Sequence, residues 1–378
     1  MRVYVDCVGC EQRNLDAQRV VDYLKANEVD ISDSPLGCDY SIIITCGVDS
    51  SNEQRSLSRI EQISKSIPKN GKLIVGGCLP SISPSRLSKY DIYGTFSPRD
   101  IYVLNDLLGL SVALDDISYP NRSRFDSEQR FGVSSDLSPR EEYDMAKRGF
   151  KLRISEGCLG NCSYCMIRKA TGRLKSESPD SIAKQMKDGI EMGERTVMLM
   201  AGDTGAYGRD LGIRFYDLLR DLISVHGDYQ VFIHDFNVNW LIRNLDEYID
   251  IFRSRNGHKI RGSNFPMQSG SNRILRLMRR PYTAEDAISA LKRTRTSAPH
   301  IFQGSHIIVG FPGETNEDFE RTLEMLDDVG FDFVTCFRYS EHEMSDSASL
   351  PDKVSNDVVN ERLDRTANSL GDKVKIIG

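Results

Sequence analysis

The chain lacks an apolar run long enough to cross a bilayer, since such a span needs about 20 apolar residues. It also lacks an excess of positive charge: 49 Lys and Arg stand against 55 Asp and Glu, for a formal net charge of −6. This balance excludes a domain-wide basic field for nucleic acid, while local basic patches remain compatible with it. Neither an internal repeat nor a low-complexity block is present.

The N-terminus has no signal or transit character and begins at once with a strand-like segment, Met1–Asp6. We therefore expect a cytoplasmic protein without a membrane partner. Thiols stay reduced in that compartment, so the nine cysteines indicate metal binding or catalysis rather than disulfides.

The first part of the chain alternates short apolar segments with polar, helix-periodic ones, which predicts a parallel sheet flanked by helices. We predict an N-terminal domain over 1–117, a charged and Ser-rich linker over 118–145, and a second domain over 146–378. The predicted strands of the first domain are Val3–Cys7, Ser41–Cys46, Leu73–Gly77 and Ile92–Phe96.

The second domain repeats the alternation six times, which predicts a partial (β/α)6 barrel with its active site at the carboxyl ends of the strands. After the sixth unit we predict only a helical tail, Asn356–Ser369. The predicted strands are Lys151–Ser155, Thr196–Ala201, Gln230–Asp235, Ile260–Pro266, Gln303–Val309 and Phe333–Tyr339.

Three cysteines, Cys158, Cys162 and Cys165, follow the first of these strands with the spacing C-x3-C-x2-C. Three thiolates so placed can ligate three irons of a [4Fe–4S] cluster and leave the fourth iron open for a substrate or cofactor. The alternative is a structural zinc site whose fourth ligand lies elsewhere. Tyr164 and the two glycines of the loop favour the cluster.

A second set of cysteines, Cys10, Cys46 and Cys78, falls at or just beyond the ends of three predicted strands of the first domain. These ends share one edge of a parallel sheet, so the thiols can converge and hold a second cluster. The alternative is that they are small buried apolar residues. The remaining cysteines are predicted to be packing residues: Cys7, Cys38 and Cys336.

Both cysteine sets, together with further segments, resemble radical S-adenosylmethionine (SAM) methylthiotransferases, which insert a methylthio group into an unactivated C–H bond. The segment Asp203–Gly212 is similar to the archaeal and eukaryotic branch that acts on threonylcarbamoyladenosine at position 37 of tRNA. The family's C-terminal RNA-binding TRAM domain is not found in the sequence. The other matching segments are Gly9-Cys10, Thr45-Cys46, Gly77-Cys78, Gln268–Ser271, Met278–Tyr282 and Ile308–Glu314.

The resemblance implies an α/β protein: an N-terminal Rossmann-like parallel sheet domain followed by a partial (β/α)6 radical SAM barrel. It implies that Cys158, Cys162 and Cys165 hold the [4Fe–4S] cluster that cleaves SAM. It also implies a second [4Fe–4S] cluster, at Cys10, Cys46 and Cys78, that delivers the sulfur. The electron donor would be a flavodoxin or ferredoxin. The expected SAM-binding residues are Tyr164, Gly202, Asp203, Gln268, Ser269, Val309 and Gly310.

Other polar residues near the predicted strand ends have two interpretations each. Tyr207 and Arg209 are expected to stack on an RNA base and pair with a phosphate, or else to lie in a solvated loop. The basic run Arg273–Arg280 is either a phosphate contact or a solvated helix face. His234 and His306 are predicted to be satisfied strand residues rather than ligands.

Several positions depart from the family pattern, including Arg13 and Ile44, where the family has Asn. Three hypotheses for the function therefore stand. The first is an enzyme that modifies tRNA. The second is an enzyme that adds sulfur or a methylthio group to a peptide, a protein side chain or a small metabolite. The third is an iron–sulfur electron carrier without SAM chemistry.

Overall fold

The computed structural model describes residues 1–126 and 137–377, which form two compact units. The first unit comprises the described residues up to 126 together with 165–172 and 342–344, and the second comprises the rest. The domain boundaries at 117 and 145 stay a prediction. Part of the predicted linker, 127–136, lies outside the described residues.

The first unit is built on a five-stranded parallel sheet in the order β2-β1-β3-β4-β5. This confirms the parallel sheet predicted for this part of the chain, and β2 is a short edge strand that was not predicted. The strands are β1 (Arg2–Cys7), β2 (Asp30–Ser32), β3 (Tyr40–Thr45), β4 (Lys72–Gly77) and β5 (Gly94–Thr95).

Helices cover both faces of this sheet. Ile42 and Ile44 of β3 pack into one core, whereas Ile43 between them packs into the core on the other face. A strand that is buried on both faces contains a continuous apolar run, as β3 does at Ile42–Ile44. The helices that follow the strands are α1 (Glu11–Ala26), α2 (Ser50–Ser66), α3 (Leu79–Ile82) and α4 (Val103–Leu108).

The second unit contains a seven-stranded parallel sheet in the order β14-β13-β12-β11-β10-β9-β6. The six predicted strands are confirmed, and a seventh, β14, pairs with β13 after the helical tail. Two two-residue strands, β7 and β8, pair antiparallel. The strands are β6 (Phe150–Arg153), β7 (Ser155–Glu156), β8 (Lys175–Ser176), β9 (Thr196–Met200), β10 (Gln230–Ile233), β11 (Ile260–Asn264), β12 (Phe302–Val309), β13 (Phe333–Arg338) and β14 (Val374–Ile377).

Helices line the outer side of this sheet over one large core, which receives Val197, Leu199, Val231 and Ile233 from β9 and β10. The next helices in the chain are α5 (Pro139–Ala146), α6 (Ile167–Thr171, in the first unit), α7 (Pro179–Glu191), α8 (Phe215–Ser224), α9 (Val238–Arg243), α10 (Leu245–Arg253), α11 (Asn272–Leu277), α12 (Ala284–Ser297), α13 (Asn316–Val329) and α14 (Asn356–Leu370).

The helix α5 lies within the stretch that the sequence predicts as a linker. A Ser138 and Glu141 capping box begins it. Tyr143 of α5 packs with Met198 and Phe232. These two strand residues alternate along β9 and β10 with the residues that face the outer core. The helix α5 therefore covers the inner side of the sheet. Within residues 1–126 and 137–377, no helix is both long and apolar enough to cross a membrane.

Candidate functional site

In the first unit, three cysteines follow three neighbouring strands. Cys46 and Cys78 directly follow β3 and β4, and Cys10 precedes α1, three residues after β1 ends. Because β1, β3 and β4 are adjacent and parallel, their carboxyl ends lie at one edge of the sheet. The structure therefore brings together the three thiols predicted to form the second set.

The backbone packs tightly at this edge. Gly77 has a φ of +93°, and a Cβ on it would lie 2.3 Å from the carbonyl oxygen of Thr45. Only glycine fits there without strain. The Cys78 amide donates to that same oxygen over 3.0 Å, while the Cys46 amide donates to the Ser56 hydroxyl over 3.1 Å. These contacts fix where the two cysteines leave their strands.

The electrostatics of this thiol set favour a bound cationic group. Burial raises the pKa of Cys46 well above its ordinary value, and the charges of Cys10 and Cys78 raise it further. Three thiolates this close repel one another unless iron neutralises them. Burial also raises the pKa of Cys10, although the charge of Arg13 and the backbone N–H groups at the N-terminus of α1 oppose the rise. The donor set therefore fits an iron–sulfur cluster.

Another cysteine, Cys7, ends β1 and lies close enough to Cys10 for their charges to interact. Its sulfur contacts the Asn14 side-chain oxygen at 3.2 Å and accepts from the Gly9 amide at 3.4 Å. This supports the expectation that Cys7 is a packing residue.

In the second unit, two cysteines of the C-x3-C-x2-C loop converge above a glycine. A Cβ placed on Gly160 would lie 3.2 Å from the Cys158 sulfur and 3.8 Å from the Cys162 sulfur. The Gly160 amide donates to the Cys158 sulfur over 3.2 Å. Ser163 anchors the loop, since its amide and hydroxyl donate to the carbonyls of Met278 and Leu277.

The third cysteine of the loop, Cys165, is half-buried and begins the segment that belongs to the first unit. Within the described part of the chain, no three His, Cys, Asp or Glu side chains are placed to hold a single metal ion. A zinc site needs its ligands around one ion, whereas each cysteine of a [4Fe–4S] cluster ligates a different iron. The cluster and the zinc alternative both stay predictions for this loop.

Arg280 is a residue of this site that the sequence did not single out beyond its basic run. It is 9% exposed, and its Nη1 lies 3.5 Å from the Cys162 sulfur. Its Nη2 donates to the carbonyl of Pro266 and to Asn237 Oδ1, at 2.9 and 3.0 Å. A guanidinium remains charged when buried, so it places a fixed positive charge beside this thiolate.

Asp203 follows β9 at the same end of the sheet and is 4% exposed. Its Oδ2 accepts from the Trp240 indole N–H over 2.8 Å and from the Asn237 amide over 3.5 Å. Burial raises the pKa of Asp203 to about 6, although these donors and Arg280 oppose the rise. Asn237 thus joins Asp203 to Arg280.

Several buried polar atoms at these strand ends have no protein partner. They are Asp203 Oδ1, Thr204 Oγ1, Gln268 Oε1 and Ser155 Oγ. Buried polar atoms are normally paired, so these unpaired ones are available to a polar ligand. Two carboxylate or amide oxygens and two hydroxyls suit a ligand with an ammonium group and a ribose, as SAM has. The residues therefore fit SAM.

The other expected SAM-binding residues are placed unequally. Gln268 has a φ of +72° and bridges to β12 through its backbone, leaving its side-chain oxygen unpaired. The Ser269 hydroxyl already accepts from the Ser271 amide, and the Val309 side chain lies in the outer core. A Cβ on Gly310 would meet Val359 of α14 at 2.5 Å. Helix packing therefore accounts for this glycine, and a role for Ser269, Val309 and Gly310 in binding SAM stays a prediction.

Tyr164 and Gly202 are compatible with the role predicted for them. The Tyr164 ring packs edge-on against Phe311, with 6.4 Å between ring centroids. Gly202 is half-buried and directly precedes Asp203. Their part in binding SAM stays a prediction.

We predict that Asp203→Asn weakens SAM binding by about 10- to 100-fold, because a hydrogen bond to a charged group contributes roughly 1.5–3 kcal/mol. Below pH 6 the wild-type carboxyl takes up a proton and no longer attracts an ammonium group. Its dissociation constant should therefore rise between pH 7.5 and 5.5, and that of the variant should not. Equilibrium dialysis with labelled SAM, without reductant, measures both.

Asp210→Asn serves as the matched control, because Asp210 is exposed and accepts from Ser176. It should bind SAM like the wild type. Unchanged SAM binding by Asp203→Asn would contradict the role of Asp203.

The prediction that Tyr207 stacks on an RNA base is wrong. Its side chain is fully buried and its hydroxyl donates to the Glu177 carbonyl over 2.9 Å. The alternative of a solvated loop is also wrong for Tyr207, because its ring packs in the outer core.

The basic run Arg273–Arg280 is not a uniform face. Arg273 pairs with Asp318 and Arg279 with Asp346, and Arg280 points to Cys162.

His234 and His306 are hydrogen-bonded to Tyr143 and Asn264, as satisfied residues should be. Burial lowers the pKa of His306 to about 4, so it is neutral at pH 7.

Comparison with known proteins relates both units to described families. Residues 152–326 match the Radical SAM superfamily, and residues 2–94 match the uncharacterized protein family UPF0004. The chain is similar to the "Probable threonylcarbamoyladenosine tRNA methylthiotransferase" of Pyrococcus horikoshii, with 32% identity over 90% of this chain and 77% of the relative. It is also similar to the ribosomal protein uS12 methylthiotransferase RimO of Clostridium novyi, with 30% identity over 94% of this chain and 78% of the relative.

Solved structures share the fold at low sequence identity. The radical SAM methyltransferase TsrM from Kitasatospora setae superposes with a TM-score of 0.61 and 13% identity, over 92% of this chain and 74% of that one. The radical SAM enzyme OxsB superposes with a TM-score of 0.54 and 14% identity, over 97% of this chain and 56% of that one. At this identity the likeness supports the fold alone.

Proposed function

Since this chain belongs to the family of radical SAM methylthiotransferases, we propose that it inserts a methylthio group at C2 of N6-threonylcarbamoyladenosine-37 in tRNA. The observation that carries this choice of substrate is the group of five archaeal relatives that bear the threonylcarbamoyladenosine tRNA name. They are 29–32% identical over 90–93% of this chain. The segment Asp203–Gly212 points to the same substrate.

We assign the two cysteine sets to two [4Fe–4S] clusters. Cys158, Cys162 and Cys165 would hold the cluster that, with SAM bound, supplies a carbon-centred radical able to remove hydrogen from the substrate. Cys10, Cys46 and Cys78 would hold the second, which carries the sulfur to be transferred. The place of Cys46 and Cys78 directly after neighbouring strands, and the approach of the Cys158 and Cys162 sulfurs to Gly160, support this assignment.

The protein's own residues bind and orient the reactants. Asp203 accepts hydrogen bonds from the ammonium group of SAM through its unpaired Oδ1, and Gln268 offers a second unpaired oxygen. Arg280 neutralises the Cys162 thiolate and keeps the loop in place through Pro266 and Asn237. Burial of these groups excludes water from the reacting atoms.

A protein side chain is the second candidate substrate, because the relative from Clostridium novyi is a ribosomal protein methylthiotransferase of similar identity and coverage. Both candidates need the same cysteines and the same SAM site. What separates them is the surface that receives the substrate.

The test is a reaction with purified, anaerobically reconstituted enzyme, SAM, a source of sulfide and dithionite. One arm contains tRNA bearing threonylcarbamoyladenosine, and the other contains ribosomal protein uS12. We expect mass spectrometry of digested tRNA to show a nucleoside in which methylthio replaces hydrogen. A methylthiolated uS12 peptide with unchanged tRNA would overturn the proposal in favour of the second candidate.

The electron donor is a separate part of the proposal. A flavodoxin or ferredoxin would take the place of dithionite in the cell. Adding either protein with its reductase should support the same product, whereas failure of both would show that another donor is used.

A further inference from the structure

The second unit carries an arginine-rich patch around Trp240, the only tryptophan of the chain. The guanidinium of Arg209 lies 4.7 Å from the centroid of the Trp240 ring, and that of Arg243 lies 5.7 Å from it. Arg214 is close enough to Arg209 for their charges to interact. Trp240 itself is half-exposed and Arg243 is exposed. We call these four residues the Trp240 patch.

The three arginines of the Trp240 patch have no carboxylate partner among the residues that the structure describes. Arg214 donates to its neighbour's carbonyl at Ile213, and Arg243 donates to Asn239 Oδ1. Several other arginines of this unit do pair with carboxylates, among them Arg273 with Asp318, Arg293 with Asp246 and Arg295 with Asp332. The patch is thus an unneutralised cluster of positive charge in a chain of net charge −6.

The concentration of positive charge in the Trp240 patch is energetically unfavourable in the absence of a bound anion. Partial burial and the charges of Arg214 and Arg243 lower the pKa of Arg209. Like charges at short distance repel, and an anion placed among them would relieve the repulsion. Such an arrangement is typical of sites that receive phosphate groups.

The Trp240 patch is connected to the SAM site within the same unit. Arg209 lies in the loop after β9 and Trp240 lies in α9 after β10, so both are at the carboxyl ends of neighbouring strands. The Trp240 indole N–H donates to Asp203 Oδ2 over 2.8 Å. An RNA strand on this patch would therefore lie beside the place where a nucleoside meets SAM.

We propose that Arg209, Arg214, Trp240 and Arg243 bind the sugar–phosphate backbone of the RNA strand next to the modified nucleoside. The arginines pair with phosphates, and the Trp240 ring offers a face to an unstacked base. This inference rests on the proposed function, since it takes tRNA as the substrate. Arginines beside a half-exposed aromatic ring suit the phosphates and unstacked bases of RNA.

The experiment measures binding of the full-length, anaerobically reconstituted protein to fluorescently labelled tRNA that carries threonylcarbamoyladenosine, at several salt concentrations. Each phosphate contact contributes about 0.7–0.9 to the slope of log K against log salt, so Arg209→Ala/Arg214→Ala/Arg243→Ala should reduce the slope by about 2 to 3. At 0.1 M salt we expect a loss of affinity of roughly 100-fold. Iron content and the thermal unfolding midpoint establish that the variant is folded.

The matched control is Lys184→Ala/Lys187→Ala/Lys292→Ala, which removes the same charge from exposed positions on α7 and α12. This control should change the slope of log K against log salt by less than the value expected for one phosphate contact. An arginine variant with the slope of the wild type would overturn the patch alone, and so would an equal loss in the lysine variant. A wild type that does not bind this tRNA even at low salt would overturn the proposed function, and the patch with it.

Discussion

Changing Cys158, Cys162 and Cys165 together to alanine should remove about half of the iron and sulfide of the reconstituted protein, because one of two [4Fe–4S] clusters is lost. It should also abolish formation of 5′-deoxyadenosine from SAM. No other cysteine set in the described part of the chain lies beside the unpaired polar atoms around Asp203. Iron and sulfide analysis and chromatography of the SAM products measure the two effects.

Cys336→Ala is the matched control for this variant. Cys336 is buried in the outer core of the same unit, and its loss should leave the iron content unchanged. A triple variant that keeps the full iron content, or that still forms 5′-deoxyadenosine, would contradict the assignment of the loop.

Replacing Cys10, Cys46 and Cys78 with alanine should have the opposite selectivity. Half of the iron should again be lost and no methylthio product should form, but reductive cleavage of SAM should continue. The reason is that the residues proposed to bind SAM lie in the second unit, whereas these three thiols lie in the first. Product analysis with the tRNA substrate, alongside assay of 5′-deoxyadenosine, separates the two activities.

Cys7→Ala tests whether position matters rather than the mere presence of a thiol near this set. The Cys7 sulfur is engaged by Asn14 and Gly9, so its removal should cost no iron. Loss of SAM cleavage in a folded Cys10/Cys46/Cys78 variant would contradict the division of work between the two sets. Retention of the methylthio product would contradict the role of the second set.

Most strands of both sheets were predictable because they are buried on both faces and therefore contain short apolar runs, as β3 does at Ile42–Ile44. The exceptions are strands at sheet edges. The edge strand β2 is only three residues long, and β14 lies at the other sheet's edge, where it pairs with β13. The segment Val374–Ile377 is mostly apolar. A segment this short that follows a long helix cannot be distinguished from a disordered tail by its sequence pattern alone. Pairing with β13 makes it a strand.

The helix α5 shows how tertiary packing decides the state of a polar segment. Its sequence has a capping box but few apolar residues, which is compatible with a linker. Tyr143 supplies the burial, against Phe232 and Phe333 on the inner side of the sheet. Inner-side residues of a partial barrel are visible only once the strands are assembled.

The sequence by itself determined the chemistry of this protein. Thiols at C-x3-C-x2-C spacing, and thiols after successive strands, imply clusters because parallel strands end at one edge. Only the tertiary structure decided which charged and aromatic residues meet there. It buried Tyr207, turned Arg280 to Cys162 and gathered Arg209 and Arg243 around Trp240. Such contacts join residues far apart in the chain, and their partners depend on how loops and helices pack over the strand ends, which local pattern does not encode.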